Sequence, residues 1–407
     1  MLRFALTGGT GLLGRNLLFE ILKQNLNNLD KITIFFFGRG KDDSPFEKRI
    51  LEIICDDGSY YLGFSPETLP LALKKQIFSA IIPVEFDLAK GNLGINPADF
   101  DKLKKEPIDY FYHLAAMTDF RSGAAVEEKL EKINVEGTKK ICSLIENLNV
   151  KEVIYISSAY ACGSKTGLVK PDYTDVNEIF RNPYEKTKLK AEIYFRDFSS
   201  TKKIKWRVFR PSTICGRLIE QPIGATNKFD VFYAWAAFFL RLKLKAINSL
   251  ERIYSEPFQI SIRIHFNPKG GLNIVPADYA AKILYSVCLK NLPSNYFHLA
   301  NNAQTPNQLY GDLIFKTFNI SGFSYVLTEP EDKNKIEEIY YRTVGGLFTP
   351  YGISEEIIFD TENLKNTQER KKLFCPPVDK ENFQKLIDFA KEKLFGLTKE
   401  NQVTSIK

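Results

Sequence analysis

The sequence of 407 residues holds only three histidines, two tryptophans and two methionines, and its six cysteines stand far apart. Cys55, Cys142, Cys162, Cys215, Cys288 and Cys375 form neither a Cys-x-x-Cys pair nor a cluster with histidine. That argues against a zinc site or a disulfide framework, so we expect no metal and reduced thiols. His113, His265 and His298 each follow or sit within an apolar, strand-like run, and a structural role is expected for all three. Long hydrophobic runs are also missing, since the most apolar stretch, near residues 229–247, falls short of the ~20 residues that cross a bilayer. No basic, apolar and small-residue leader precedes the strand-like run at Arg3, and with the cysteine pattern this leads us to expect a cytoplasmic protein. The charge excess of +7 is modest and spread over many lysines. It reads as a solvated face with no nucleic-acid partner, the sharper alternative being attraction to a phosphorylated or acidic partner.

What is present is alternation. "RFALTG", "KITIFFFGR", "IIPVEFD", "IDYFYHLA", "EVIYISS" and "KWRVFRPS" are short runs of β-branched and aromatic residues, each followed by a helical pattern or a turn cluster. Nearly continuous apolar strands with helices between them imply an α/β fold, a parallel sheet covered on both faces. Val126, Leu130, Ile133, Ile141, Leu144, Ile145 and Leu148 recur at helical spacing and predict one long crossover helix, or two joined at Gly137. After about Gly216 the alternation weakens. We expect a sheet domain over 1–215, joined again by 271–300, and a smaller lobe from 216–270 and 301–407.

Gly8, Gly11 and Gly14 fall at the end of the first strand and the start of the next helix. Missing side chains there let a turn tighten and a backbone approach a pyrophosphate, whose charge a helix N-terminus favours. A plain tight turn is the alternative. The second strand ends in Gly38 and Arg39, where a carboxylate would suit the ribose hydroxyls of NAD. A guanidinium suits a 2′-phosphate instead and favours NADPH. An ordinary surface role for Arg39 stays open, as do the nearby Asp42 and Asp43.

In "YEKTK", Tyr184 and Lys188 lie one turn apart on a helix face, so an ammonium could sit beneath the phenol. A nearby cation lowers a phenol pKa of roughly 10 by about 1 to 3 units, toward the range useful for proton transfer. "VIYISSAYACG" ends the preceding strand with Ser157 and Ser158, at the carboxyl edge where open parallel sheets hold ligands. Cys162 lies close by without an activating partner and is expected to be wall.

"TGGTGLLG", "FDLA", "YHLAAMTDF", "NVEGT", "YISSAYACG", "PYEKTK", "FRPSTICG" and "LNIVPADYAA" occur in the order and approximate spacing of the extended short-chain dehydrogenase/reductases. The chain resembles that superfamily over roughly residues 1–300. The resemblance implies a Rossmann-like, doubly wound sheet with a smaller C-terminal substrate-binding lobe and an NADPH cofactor. It assigns Thr7, Gly8, Thr10, Gly11, Leu12, Leu13 and Gly14 to the pyrophosphate loop, and Asp87 and Leu88 to the adenine. Ala115 and Ala116 would flank the cofactor, Asn134 matches the helix asparagine of the family, and Pro211 and Ser212 would border the nicotinamide. Counted back from Gly163, Ser158 takes the catalytic hydroxyl position, with Tyr184 as proton donor and Lys188 holding the ribose and tuning Tyr184.

The excursion between the second and third strands, "IIPVEFDLAKGNLGINPADFDKL" and "YGISEEIIFDTENLKN" look like the thioester reductase and fatty acyl reductase branch. That branch implies reduction of a thioester, on coenzyme A or an acyl carrier protein, to an aldehyde or alcohol. The apolar run "NKFDVFYAWAAFFLRLKLK", ending in Arg241, Lys243 and Lys245, offers Tyr233, Ala237 and Phe238 as an acyl-binding face. Contact of this helix with a membrane surface, or ordinary burial, are its other readings. A nucleotide-sugar epimerase or dehydrogenase, a ketone or hydroxysteroid reductase, and a noncatalytic NADP-sensing interaction protein remain as alternatives.

Overall fold

The computed structural model describes residues 1–40, 44–290 and 292–397. Seven parallel strands form one sheet: β1 (Leu2–Thr7), β2 (Ile32–Gly38), β3 (Ile81–Glu85), β4 (Ile108–His113), β5 (Val150–Ile156), β6 (Lys205–Pro211) and β7 (Tyr296–Leu299). Their spatial order is β3-β2-β1-β4-β5-β6-β7. The chain reverses direction across the sheet between β1 and β4, where Leu6 pairs with both Phe36 and Tyr112. That reversal opens a crevice beyond the carboxyl ends of the two strands.

The phenylalanines of β2 show why the sheet is buried on both faces. Ile34 and Phe36 join one core with Leu17, Leu18 and Ile283, while Phe35 and Phe37 join the opposite core with Phe111 and Ile141. Side chains alternate across a strand, so an unbroken apolar run needs helices on both sides. Those helices include α1 (Leu12–Gln24), α2 (Pro183–Thr201) and α4 (Ala277–Cys288). The crossover over 124–146 is one continuous helical run with a π-turn over Glu131–Glu136. Gly137 is helical within it.

The smaller lobe has its own core, built from α3 (Phe232–Ile247), the parallel strand pair Phe258–His265 and Ile320–Val326, and helices Asn307–Thr317 and Lys380–Glu392. The segment over 357–368 differs from the expected partition, while Lys380–Glu392 keeps to the lobe. Ile357–Phe359 pairs with Gly167–Val169, Leu364 enters a core of the sheet domain, and Gln368 donates to the Tyr279 hydroxyl at 2.7 Å. Leu364 and Gln368 thus tie this segment to the sheet domain. Residues 398–407 of the expected lobe, and Asp42 and Asp43, lie outside the described residues. No helix of the described residues is long and apolar enough to cross a membrane. The apolar side chains of α3 are inside the lobe, and even Lys243 is fully buried, donating to the carbonyls of Glu256 and Phe318.

Candidate active site

A cleft of about 990 Å³ runs from the loop after β1 to the smaller lobe. Its first wall depends on missing side chains. Gly8 has φ +72°, and a Cβ there would stand 2.6 Å from the Ala115 nitrogen; at Gly14 it would stand 2.3 Å from the Gly8 carbonyl oxygen. Gly11, which begins α1 as its N-cap, is different: the Gly8 oxygen at 3.4 Å is the one nearby atom, so a methyl group would stand in the cleft itself. Gly9 is required by packing, since a Cβ would strike the Phe36 ring at 2.1 Å. This cradle at a helix N-terminus fits a dinucleotide pyrophosphate.

Thr10, Leu12, Leu13, Leu88, Ala115, Ala116, Pro211 and Ser212 also line the cleft. Thr7 and Asn134 do not; each supports it from beneath. Fully buried, Thr7 accepts from the Ala115 nitrogen at 3.2 Å and bonds His113 Nδ1 at 2.8 Å. Asn134, in the π-turn, clasps the Met117 backbone through both amide atoms at 2.8 and 3.0 Å and donates to Thr187 at 3.3 Å. It thereby ties the loop after β4 to α2. Arg39 lines the cleft, 71% exposed, and donates to Asp87 Oδ2 at 3.2 Å. A second guanidinium, Arg49, stands beside it and donates to the Arg39 carbonyl. No strand-end signal marks Arg49 in the sequence.

The other wall presents Ser158, Tyr184 and Lys188 together. Asn182 caps α2 by accepting from the Glu185 nitrogen at 3.1 Å, and Pro183 opens the helix, so the start of α2 is fixed. Ser158 Oγ accepts from the Tyr160 nitrogen at 3.2 Å, leaving its proton free to donate. Lys188 is 2% exposed and donates to the Tyr155 hydroxyl at 3.0 Å and the Ile156 carbonyl at 2.7 Å. Burial lowers its pKa to about 7, Glu192 opposing. Burial likewise raises the Tyr184 pKa, Asp230 adding to the rise. The phenol is therefore shifted opposite to the sequence expectation, because burial and the nearby Asp230 carboxylate both disfavour the phenolate.

Tyr233, Ala237 and Phe238 do not line the cleft. They are buried in the core of the lobe, where Tyr233 accepts from the Gly216 nitrogen at 3.4 Å. The face of α3 turned to the cleft carries Phe232 and Trp235, joined by Phe266, Leu272, Tyr310 and Phe348. Helical spacing gives a set of faces, but which face meets the cleft depends on how the helix is docked. Tyr351 was equally illegible. Its hydroxyl donates to Glu185 at 2.8 Å and accepts from Asn182 at 2.7 Å, pinning the smaller lobe to the start of α2. Cys162 is buried, its thiol pushed up to about 12 by burial. His113 is held by Thr7 and Thr138, and burial keeps its pKa down at about 3. Among the described residues no group of three or more His, Cys, Asp or Glu could hold a metal.

With this geometry in place, comparison with known proteins decides the kinship. The model of an NAD-binding family described as male sterility protein matches residues 6–284. The chain belongs to that family. A Drosophila melanogaster protein named as a fatty acyl-CoA reductase is 27% identical over 156 residues, which are 38% of this chain and 28% of that one. The chain thus spans under a third of the length of that relative. The solved terminal R domain from the myxalamid PKS-NRPS biosynthetic pathway has a TM-score of 0.69 at 18% identity, covering 97% of this chain and 92% of that one. A thiolation-reductase di-domain from an archaeal non-ribosomal peptide synthetase has a TM-score of 0.65 at 18% identity, covering 96% and 75%. Their fold, a Rossmann-like α/β sheet with a smaller lobe, is the fold of this male sterility family member. The family is one that uses a nicotinamide cofactor.

Proposed function

We propose that the chain is an NADPH-dependent reductase of acyl thioesters, carried on coenzyme A or an acyl carrier protein, yielding the aldehyde or, by a second reduction, the alcohol. The observation that carries this reading is the convergence of Ser158, Tyr184 and Lys188 with the glycine loop in one cleft whose far wall is apolar and aromatic. When bound, the reduced cofactor supplies a hydride to a carbonyl carbon. Gly8, Gly11 and Gly14 would hold its pyrophosphate, Asp87 its adenine, Arg39 and Arg49 its 2′-phosphate, and Lys188 its ribose. Negative charge then gathers on the carbonyl oxygen. Ser158, whose proton is free, would orient that oxygen, and Tyr184 would donate to it. The raised Tyr184 pKa suits an acid that must stay protonated at neutral pH. As the adduct collapses, the oxygen returns its proton to Tyr184 and re-forms the carbonyl, the carbon–sulfur bond breaks with its electron pair leaving on sulfur, and the thiolate takes a proton from solvent.

Incubation with NADPH and a panel of acyl thioesters, nucleotide sugars and hydroxysteroids tests this. One free thiol per aldehyde is expected. Cofactor oxidation without thiol release would move the reading to a small ketone or a nucleotide sugar. The aromatic lining supplied by Phe232, Trp235, Phe266 and Tyr310 speaks against the latter. A noncatalytic NADP sensor would be expected to lack one of Ser158, Tyr184 and Lys188.

A further inference from the structure

We infer that the substrate end of the cleft is a closed pocket of bounded length with Trp235 as its floor, so that its substrates are thioesters of short and medium acyl groups. The inference rests on the thioester reading for its chemistry but on geometry for the pocket. Trp235, Phe266 and Tyr310 line the cleft yet are 2%, 2% and 7% exposed, so the cleft stops on them. Behind the indole lie Phe239 and Phe315, with ring centroids at 4.8 and 5.3 Å. Phe266 stacks on it at 6.1 Å and 11°, and Tyr310 meets it edge-on at 6.4 Å.

Trp235 Nε1 also donates to the Tyr340 hydroxyl at 3.0 Å, and both residues are buried. Swinging the indole aside would leave two polar groups unpaired in a close-packed interior. The floor is therefore fixed and does not act as a gate. The rings that meet the Trp235 indole, Phe239, Phe266, Tyr310 and Phe315, give it an aromatic surround. The 990 Å³ serve dinucleotide and substrate together, which leaves the acyl group a fraction of that space.

The chain has two tryptophans, and Trp206, on β6, is not among the residues lining the cleft. Trp206→Phe therefore makes Trp235 a sole fluorescent reporter of the floor. Straight-chain alcohols of four to sixteen carbons are titrated against this variant, and acyl-CoAs of the same lengths are assayed for NADPH oxidation and thiol release. Binding should tighten up to about fourfold per methylene, then break and weaken by about tenfold or more once the chain meets Trp235. Turnover of the thioesters should break at the matching length, and Trp235→Ala should move both breaks several carbons longer. Should that variant fail to fold, the break in the parent series decides. Sixteen-carbon ligands binding as well as eight-carbon ones, or a break unmoved by Trp235→Ala, would overturn the pocket. A break in alcohol binding without thiol release would leave the pocket standing and remove the thioester reading; thiol release without a break would do the reverse.

Discussion

At its dinucleotide end the cleft is walled by backbone, the loop from Gly8 to Gly14, whereas at its substrate end the walls are side chains drawn from segments as distant as Tyr160 and Tyr351. The first end works through atoms that are missing; the second works through rings that are locked. Their charges differ in the same sense. Arg39 is 71% exposed and shares a solvated ion pair with Asp87, an arrangement that contributes little to stability. Lys188 is 2% exposed and satisfied by Tyr155 and a carbonyl, so its charge is costly and its position fixed. Arg39 can thus be replaced at little cost to the fold, whereas any change at Lys188 falls on a buried, fully satisfied group.

The largest expected effect separates chemistry from binding. Tyr184→Phe keeps the ring, which packs edge-on against Phe120 at 5.4 Å, and removes only the proton. Turnover should fall by about 100-fold or more with cofactor affinity nearly unchanged. Full rate in a steady-state assay would make Ser158 or water the acid.

Next comes the buried lysine. Its pKa falls from 10.5 to about 7 on folding, so between these values the unfolded chain binds a proton that the folded chain does not. Stability should therefore rise with pH across that window, by up to about 5 kcal/mol in all, the burden being fully present below pH 7. Denaturation midpoints measured across the window should show this rise in the parent and lose it in Lys188→Met. An unchanged slope would place Lys188 in a wetter site.

Two glycines sharpen the contrast at the dinucleotide end. Gly11→Ala should leave stability within about 0.5 kcal/mol but weaken dinucleotide binding by about tenfold, since its methyl group enters the ligand's space. Gly14→Ala should instead cost stability, about 1 to 3 kcal/mol, from overlap with the Gly8 carbonyl. Calorimetric binding beside thermal melts distinguishes them. Equal behaviour of the two would erase the distinction between cradle and packing.

The smallest effect falls on the exposed guanidinium. Arg39→Ala should weaken NADPH by about 1 to 2 kcal/mol and spare NADH, the loss held down by exposure and by the neighbouring Arg49. Titration of both cofactors checks it. Equal affinity for NADPH and NADH in the parent would remove the 2′-phosphate from the account.

By itself the sequence determined the features that are local. The six strand runs and "NYFHLAN" lie in the sheet because an apolar run between turn signals is a property of a few consecutive residues. The glycine loop and the spacing of Tyr184 and Lys188 were legible for the same reason. The tertiary structure decided what depends on docking. It turned Phe232 and Trp235 of α3 to the cleft and left Tyr233, Ala237 and Phe238 in the core, because a helix buried on most sides has no unique apolar face to read. It brought Arg49 beside Arg39, sent Lys188 to Tyr155, and buried the phenol of Tyr184, which reverses the expected direction of its shift. It also pinned Tyr351 to Glu185, 166 residues apart in the chain. Burial and long-range pairing set these outcomes, and neither is a property of neighbouring residues.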